Sequence, residues 1–239
     1  MSQLLRRGFF VTGTDTGVGK TLVSATLLRE FVGRGLRVAG MKPVASGARW
    51  TPAGLRNEDA LSLIREQSRV SPYAVVNPYA FLPAIAPHIA AAQAGIKIDI
   101  ERIVQAFNEL HAGGHIVVVE GAGGWYAPIS ESSTMEDVAL ALGLPVVLVV
   151  GLRLGCLNHA LLTARVIERS SLPLCGWIAN RIDLPFPHWQ ENVSTLTRLL
   201  AAPYLGTIDY QPSVTIEHAA GSLNVDLLLT RLPADPHPA

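Results

Sequence analysis

A glycine-rich turn near the amino terminus carries residues suited to chemistry on a phosphate group. Residues 13–21, GTDTGVGKT, follow an apolar run and precede a segment with helical periodicity. In such a strand–loop–helix unit, backbone N–H groups and the positive end of the helix dipole point at an anion. Lys20 would reach the terminal phosphates of a nucleotide, and the hydroxyl of Thr21 would hold Mg²⁺. The stretch therefore predicts a nucleotide site.

The turn is one residue longer than the strict phosphate-loop pattern, which has four residues between the first glycine and the Gly-Lys pair. Here the five residues 14–18 separate Gly13 from Gly19. The tight end of the loop, residues 17–21, is complete, so the prediction of phosphate binding stands and the length indicates a variant branch. Asp15 occupies the position at which switch-type partition ATPases carry an additional lysine, which disfavours that class.

Three further charged residues lie at the ends of predicted strands or in the first turn of a predicted helix. Glu120 ends an apolar strand and precedes a glycine-rich segment, where a metal-orienting carboxylate stands in such folds; a solvated turn glutamate is the alternative. Lys42 ends another strand and could face an anionic substrate, although a lone lysine there is more often solvated. Asp59 falls in the first turn of a helix capped by Asn57, where an acid also complements the helix dipole. Pattern alone leaves the roles of Lys42 and Asp59 open.

The elements that would position these residues alternate along the chain. Unalternating apolar runs, typical of strands buried on both faces, occur at 9–12, 37–41, 116–119, 146–150 and 174–179. Segments with helical period lie at 23–32, 103–110, 138–142, 160–167 and 193–200. This order predicts an α/β fold with a doubly wound, mostly parallel sheet, as in P-loop NTPases. We expect one domain over 1–231, an ordered proline-rich excursion over the sheet edge at 67–94, and a frayed tail at 232–239.

Composition disfavours several classes of function. Of 239 residues, 49% are hydrophobic and 16% charged, which allows a large buried core. Lys plus Arg and Asp plus Glu are both 19, so no basic excess favours a nucleic-acid partner. Cys156 and Cys175 lack paired motifs, which argues against a disulfide framework or a zinc site. The longest apolar run, 144–152, is far below the roughly 20 residues of a membrane helix. We expect a cytoplasmic protein with neither a nucleic-acid nor a membrane partner.

Several stretches taken together resemble the dethiobiotin synthetase family of the biotin pathway. They are VTGTDT at 11–16, VGKT at 18–21, KPVASG at 42–47, TP at 51–52, GLRN at 54–57, DA at 59–60, VNPY at 76–79, PHI at 87–89, VEGAGGW at 119–125, LVVG at 148–151, LGC at 154–156 and NHA at 158–160. The resemblance runs in order from residue 9 to about 180, and it weakens after Arg181. The long phosphate loop is itself the form that this family has.

The resemblance implies an ATP- and Mg²⁺-dependent ring closure on 7,8-diaminopelargonate. Carbon dioxide adds to one amine to give a carbamate, and ATP phosphorylates the carbamate to a carbamic-phosphoric anhydride. The second amine then attacks the anhydride, which gives dethiobiotin, ADP and phosphate. The family resemblance further implies a homodimer in which the segment 154–160 of one subunit reaches the other subunit's substrate.

The same resemblance implies roles for individual residues. Lys20 and Lys42 would be catalytic, with Lys42 as the anchor of the carbamate, and Thr21, Asp59 and Glu120 would hold the metal. The substrate site would comprise Thr16, Ser46, Gly155, Cys156 and Asn158. The nucleotide site would comprise Gly17, Val18, Gly19, Lys20, Thr21, Leu22, Asp59, Glu120, Gly121, Ala122, Gly123, Asn180, Arg181, Asp209, Tyr210 and Gln211. Two departures concern this site: Gly17 stands where some members carry Glu or Asn, and Arg181 follows the adenine-reading Asn180.

Two other functions are compatible with the phosphate loop. A related amidoligase-type ATPase acting on another carboxylate would keep the loop but lack the KPVAS stretch at 42–46 and the stretch 155–159. A nucleotide-switched partition or positioning protein would carry the additional lysine, a basic patch or an amphipathic C-terminal helix, none of which is evident in the sequence.

Overall fold

The computed structural model describes residues 6–211 and 215–233. In chain order the elements are β1 (Gly8–Gly13), α1 (Lys20–Gly33), β2 (Val38–Met41), β3 (Val44–Ala45), β4 (Arg49–Thr51), β5 (Gly54–Arg56), α2 (Glu58–Glu66), α3 (Tyr73–Val76), β6 (Tyr79–Ala80), α4 (Pro87–Gln93), α5 (Ile100–His111), β7 (Ile116–Glu120), α6 (Met135–Leu142), β8 (Val146–Leu152), α7 (Cys156–Arg169), β9 (Leu174–Arg181), α8 (Trp189–Leu199), β10 (Tyr204–Ile208), α9 (Ile216–Ala219) and α10 (Val225–Leu229).

Among the described residues, six strands form one parallel sheet in the order β10-β9-β8-β1-β7-β2. This confirms the predicted doubly wound α/β fold. The neighbours of β1 are β7 and β8, with Val11 opposite Glu120 on one side and Gly13 opposite Val149 on the other. Because parallel strands end at the same edge, the loop after β1 and the end of β7 lie side by side.

Helices cover both faces of the sheet, which explains why its strands are apolar without alternation. Phe9 packs in a core cluster that includes side chains of α1, whereas its neighbour Phe10 packs in a cluster that includes side chains of α5 and α6. A third cluster, around Trp177, lies between α7, α8 and the strands β8 and β9. In the described ranges, no helix is both long and apolar enough to cross a membrane.

The boundaries differ from the predicted ones mainly at strand ends. β9 extends to Arg181, so Asn180 and Arg181 are strand residues, and β8 extends to Leu152. The antiparallel hairpin formed by β4 and β5 and the short parallel pair of β3 and β6 were not predicted. Each has only two or three residues per strand, too few for a periodic pattern.

The proline-rich stretch 67–94 is ordered, as predicted, and it contacts the edge strand β2 and the residue that comes directly after that strand. The backbone N–H of Lys42 donates to the carbonyl of Val76 at 2.8 Å, and that of Gly40 donates to Oε1 of Gln67 at 3.2 Å. Of the tail predicted to fray, Leu232 packs against the cluster that contains Phe9, and residues 234–239 lie outside the described residues. The single-domain boundary at 231 stays a prediction.

Candidate active site

The phosphate loop connects β1 to α1, in the predicted strand–loop–helix arrangement. α1 begins at Lys20, and its first turn closes through a hydrogen bond from the N–H of Val23 to the carbonyl of Gly19 at 3.0 Å. Gly19 has a φ of 91°, and a Cβ there would lie 2.0 Å from Nδ2 of Asn180. Only glycine fits this position, because the backbone is left-handed and the neighbouring side chain leaves no room.

Four side chains meet in a charged cluster beside this loop, which we call the Lys42 cluster: Thr21, Lys42, Asp59 and Glu120. Nζ of Lys42 lies 2.6 Å from Oε1 of Glu120 and 2.9 Å from Oδ2 of Asp59. The hydroxyl of Thr21 donates to the same oxygen of Glu120 at 2.7 Å. The Lys42 and Glu120 side chains are buried, whereas that of Asp59 is 40% exposed. Residues from α1, α2, β7 and the end of β2 therefore converge on one point.

The pKa values of the two lysines move in opposite directions. Burial, with the positive charge of Lys42 added to it, lowers the pKa of Lys20 from 10.5 to about 8. Burial would also lower the pKa of Lys42, but the carboxylates of Glu120 and Asp59 outweigh it and raise that pKa. Lys42 therefore stays a cation throughout the physiological pH range. Lys20 loses its proton at a lower pH than an ordinary lysine, and the negative charge of a bound triphosphate would raise its pKa again.

The two carboxyl groups of the cluster also differ. Burial opposes ionisation of Asp59, but the ammonium of Lys42 prevails and lowers its pKa. Burial raises the pKa of Glu120, although Lys42 acts in the other direction. Asp59 is thus the firmer anion at neutral pH, and the charge of Glu120 depends on the cations around it.

The cluster offers a donor set that suits Mg²⁺. Oε2 of Glu120 is buried and has no hydrogen-bond partner among the described residues, so it is free to bind a cation. Thr21 and Asp59 add a hydroxyl and a carboxylate, and hard oxygen ligands of this kind are the ones that Mg²⁺ takes beside substrate phosphates. The described ranges hold no group of three or more His, Cys, Asp or Glu side chains arranged for a metal. The cluster therefore fits a metal that shares its coordination with phosphates and water.

A cavity of about 690 Å³ opens over the cluster. Its lining includes the predicted residues Thr16, Gly17, Gly19, Lys20, Thr21, Lys42, Ser46, Asp59, Glu120, Ala122 and Gly123. Oγ of Ser46 is buried without a hydrogen-bond partner in the described ranges, so it is available to a ligand. The same lining includes apolar residues, namely Val44, Ala45, Ala84, Ile85, Ala86, Pro87, Ala127 and Pro128. The cavity can therefore hold an anion next to an alkyl chain.

The glycine-rich segment after β7 forms one wall of the cavity. Gly121 N–H donates to the carbonyl of Val11 at 3.0 Å. Gly123 has a φ of 64°, and a Cβ on it would lie 3.6 Å from the hydroxyl of Thr16. The segment is held by Trp125, whose indole N–H donates to Oε1 of Glu136 at 3.1 Å. Sequence reasoning missed Glu136, because it lies in α6 and only the fold brings it to Trp125.

Other predicted nucleotide residues lie at the ends of β9 and β10, outside the cavity lining. Nδ2 of Asn180 donates to the carbonyl of Val18 at 2.9 Å, which ties β9 to the phosphate loop. Arg181 forms an ion pair with Asp209 at 3.0 Å. Tyr210 and Gln211 follow, and both are exposed. Val18 and Leu22 pack against the core cluster around Phe9, so we expect them to contribute backbone groups rather than side chains to a nucleotide.

The structure does not bring Gly155, Cys156 and Asn158 to this cavity, since in the described chain none of them lines it. Cys156 is buried in the cluster around Trp177, and Asn158 is exposed. The loop before them is linked to the phosphate loop instead, through an ion pair between Arg153 and Asp15. Their role in the substrate site stays a prediction.

Comparison with solved structures shows the fold. A chain of the MinC:MinD cell division protein complex of Aquifex aeolicus superposes with a TM-score of 0.53 at 16% identity, covering 94% of this chain and 89% of that one. A ParA family ATPase from Chlorobium tepidum TLS gives a TM-score of 0.51 at 14% identity, covering 93% and 92%. Both likenesses support the P-loop NTPase architecture and say nothing of the reaction.

Comparison of sequences shows the family. A family model described as an AAA domain matches residues 7–218. The ATP-dependent dethiobiotin synthetase BioD of Aeromonas hydrophila subsp. hydrophila is 47% identical over 224 residues, covering 93% of this chain and 99% of that protein. That of Xanthomonas axonopodis pv. citri is 49% identical over 217 residues, covering 91% and 97%. BioD 1 of Escherichia coli (strain K12) is 46% identical over 225 residues, covering 94% and 100%. These relatives, together with the phosphate loop and the Lys42 cluster, show that the chain belongs to the ATP-dependent dethiobiotin synthetase family.

Proposed function

We propose that this protein catalyses the ATP-dependent formation of dethiobiotin from 7,8-diaminopelargonate and CO₂ in the cytoplasm. The observation that carries the proposal is the convergence of Lys20, Lys42 and two carboxylates on one cavity. The lining of that cavity also includes apolar residues, which suit the alkyl chain of the substrate. Mg²⁺, held by Thr21, Asp59 and Glu120, would neutralise phosphate charge when it is bound.

The chemistry needs two anions to approach each other. One amine adds to CO₂ and loses a proton, which gives a carbamate. A carbamate oxygen attacks the γ-phosphorus of ATP, and ADP leaves. The second amine attacks the carbonyl carbon of the resulting anhydride, phosphate leaves, and the ureido ring closes with loss of a proton. Repulsion between the carbamate and the γ-phosphate is therefore the electrostatic obstacle that the protein must overcome.

Lys20 and Lys42 supply the positive charge that offsets this repulsion. Lys20 is the first residue of α1 and lines the cavity, where its ammonium donates to the carbonyl of Asp15 at 2.9 Å and could donate to a phosphate instead; Lys42 lines the same cavity from the end of β2. The buried setting strengthens both interactions, since few waters screen the charges. Ser46, with its unpaired hydroxyl, can donate to the carbamate next to Lys42. Ordered positioning of this kind is the main contribution that proteins make to phosphoryl transfer.

Incorporation of labelled bicarbonate with diaminopelargonate and ATP tests this function. We expect ATP-dependent product in the natural protein and a loss of about two to three orders of magnitude in Lys20→Ala, comparable to the loss of a strong transition-state donor. Lys42→Gln should block ring closure while ATP affinity stays largely intact. Lys97 is exposed and serves as the control in Lys97→Gln. Absence of product in the natural protein would refute the function, and loss of ATP binding in Lys42→Gln would refute the role of Lys42.

We further propose a homodimer whose substrate site is shared between subunits. In support, Gly155 and Asn158 lie away from their own chain's cavity, and Leu154 beside them is 93% exposed. The N-terminal end of α7 offers free N–H groups that suit the carboxylate of the substrate.

Complementation between inactive chains tests the sharing. A Lys42→Gln protomer is mixed with a Gly155→Asp/Asn158→Ala protomer, each being inactive alone. If the site is shared, the heterodimer has one intact site and regains activity. A fully active monomer at assay concentration, or mixtures without recovered activity, would contradict the proposal.

A further inference from the structure

Two buried amides lie behind the cavity, in the stretches GLRN at 54–57 and VNPY at 76–79. In the described chain neither stretch lines the cavity itself. Asn57 is nevertheless only 6% exposed, and Asn77 only 3%. Burial of an amide is costly unless its donors and its acceptor are paired, so both side chains need partners inside the protein. Their hydrogen bonds lead to the backbone of the site residues.

The backbone of Lys42 lies between two strand pairings. Met41 is the last residue of β2 that pairs with β7, and the next pairing, of β3 with β6, begins at Val44. Lys42 is buried, and a buried carbonyl without a hydrogen bond is costly. Nδ2 of Asn77 donates to this carbonyl at 2.6 Å, and the N–H of Lys42 donates to the carbonyl of Val76 at 2.8 Å. Residues 76 and 77 therefore hold the backbone of Lys42 on both sides.

Tyr73 determines the orientation of the Asn77 amide. Nδ2 of Asn77 donates to the carbonyls of Lys42 and Tyr79, at 2.6 Å and 3.1 Å. Carbonyls only accept, so Oδ1 of Asn77 must face the other way and needs a donor there. The hydroxyl of Tyr73 is that donor, at 2.8 Å. The guanidinium of Arg56 lies over the Tyr73 ring, 4.1 Å from its centroid, and so helps to hold the ring.

The Tyr73 hydroxyl also contacts the start of α2. It accepts from the N–H of Asn57, the N-cap residue of that helix, at 2.7 Å. The first turn of α2 carries Asp59, and Nδ2 of Asn57 donates to the carbonyl of Ser46 at 3.3 Å. One hydroxyl therefore links the amide of Asn77, which holds the end of β2, to the residues that begin α2.

This support of the Lys42 backbone matters when a substrate enters the site. In the empty cavity the ammonium is fixed by Glu120 and Asp59. A substrate anion would draw the ammonium away from these carboxylates, and the four-carbon stem of a lysine is flexible. The backbone then decides which positions the ammonium can reach. A misplacement of about 1 Å can cost about a hundredfold in rate.

We propose that Asn77, oriented by Tyr73, is a positioning residue that holds the backbone of Lys42 so that its ammonium reaches the substrate anion. The role rests on the proposed formation of dethiobiotin. Asn77 acts through Lys42 and touches neither the nucleotide nor the reacting atoms.

The role is confined to the substrate side of the cavity, because the phosphate loop is tied to other strands. The N–H of Thr14 donates to the carbonyl of Val149 in β8 at 3.0 Å. Nδ2 of Asn180 in β9 donates to the carbonyl of Val18 at 2.9 Å. Loss of Asn77 should therefore lower kcat while ATP still binds.

Steady-state turnover, together with calorimetric titration of ATP in EDTA, tests the role. In Tyr73→Phe, which removes only the hydroxyl, we expect kcat to fall about fivefold or more, the scale of one hydrogen bond. In Asn77→Ala, which removes both donors, we expect a fall of about ten- to a hundredfold. ATP affinity and the number of ATP sites per chain should keep their natural values, which excludes a loss of folded protein as the cause. Tyr73→Phe decides alone if Asn77→Ala does not fold.

Tyr79→Phe is the matched control. The Tyr79 hydroxyl accepts from the N–H of Asp99, the N-cap residue of α5, at 2.9 Å, so it serves a helix start as Tyr73 does but leads away from the site. The backbone carbonyl that accepts from Asn77 is retained, and we expect natural turnover. A fall of kcat in Tyr73→Phe no larger than in Tyr79→Phe would overturn the proposal. A loss of ATP affinity in step with kcat would also overturn it.

Amide hydrogen exchange gives a second readout that needs no dethiobiotin formation, so failure of the proposed reaction and failure of this inference are distinguishable. The chain has three lysines, Lys20, Lys42 and Lys97, so selective isotope labelling of lysine gives three backbone amide signals. We expect the Lys42 amide to exchange about tenfold faster or more in Asn77→Ala and Tyr73→Phe, with Lys20 as the internal reference. The control variant should leave it unchanged. Natural exchange at Lys42 in both test variants would overturn the proposal, even if turnover falls.

Discussion

Replacement of Lys42 by methionine should destabilise the protein because it leaves two carboxylates without their cation. Methionine keeps the length and apolar stem of lysine but removes the ammonium that lies 2.6 Å from Glu120 and 2.9 Å from Asp59. Breaking a buried ion pair by removing one partner costs about 3–5 kcal/mol. Water can reach the 40% exposed Asp59, so we expect the lower end of that range, about 3 kcal/mol.

Thermal unfolding followed by circular dichroism, with EDTA and without nucleotide, measures this loss. For a domain of this size about 3 kcal/mol corresponds to a Tm lower by about 6–12 °C. The deficit should be larger at pH 8 than at pH 5.5. Burial raises the pKa of Glu120, and the loss of the cation raises it further, so the penalty is present above that pKa and disappears as the falling pH protonates the carboxyl group.

A double variant separates charge from packing. Lys42→Met/Glu120→Gln removes both members of the closest pair. Its loss of unfolding free energy should therefore be smaller than the sum of the two single losses, by about 0.5–3 kcal/mol. If Lys42→Met costs less than about 1 kcal/mol, or if the single effects simply add, the cluster does not hold the carboxylates electrostatically and the reasoning is wrong.

Three further outcomes follow from the site. The pKa of Lys20 is lowered to about 8, so ATP affinity should fall as the pH rises through 8, and NMR of methylated lysines should give that midpoint and its upward shift with MgATP. Gly19→Ala should weaken ATP binding at least about a hundredfold by calorimetry, because a Cβ would lie 2.0 Å from Nδ2 of Asn180. Glu136→Ala should lower turnover about tenfold by misplacing the segment held by Trp125, whereas Glu136→Gln, which keeps the acceptor, should retain it.

Each of these has a contrary result. A Lys20 midpoint near 10.5 would show that burial does not perturb its charge. Normal ATP affinity in Gly19→Ala would mean that Asn180 moves away at no cost. Equal turnover in Glu136→Ala and Glu136→Gln at the natural level would show that the link between α6 and the segment is not needed for activity.

The sequence alone was sufficient for five of the six strands of the sheet, for the helices with a clear period and for the phosphate loop; β10, at the edge of the sheet, was not among the predicted apolar runs. Strands such as Val146–Leu152 are buried on both faces, so their residues are apolar without alternation. This pattern can be recognised in the sequence without knowledge of the neighbouring strands. The ends of strands were less readable. Asn180 and Arg181 are polar and were placed after β9, yet they pair with Gly151 and Leu152 inside the sheet, because the carboxyl edge of a parallel sheet is where polar site residues lie.

Contacts between distant residues were decided by the tertiary structure. Lys42 and Glu120 are 78 positions apart, and Trp125 meets Glu136 only because α6 turns back over the segment after β7. The pairing of Arg153 with Asp15 and the stacking of Arg181 on Trp189 likewise left no local pattern. Such contacts depend on the order of strands in the sheet, which a residue's neighbours in the chain do not encode.

The phosphate loop and the Lys42 cluster illustrate the two cases. The loop was determined by the sequence, since a strand, a turn of fixed spacing and a helix start are contiguous and their chemistry is local. Whether Lys42 and Asp59 were solvated surface charges or part of a site stayed open until the fold placed β7 between β1 and β2. That strand order brings the end of β2 next to Glu120, and burial then makes their pairing strong, because in the interior an unpaired charge is costly.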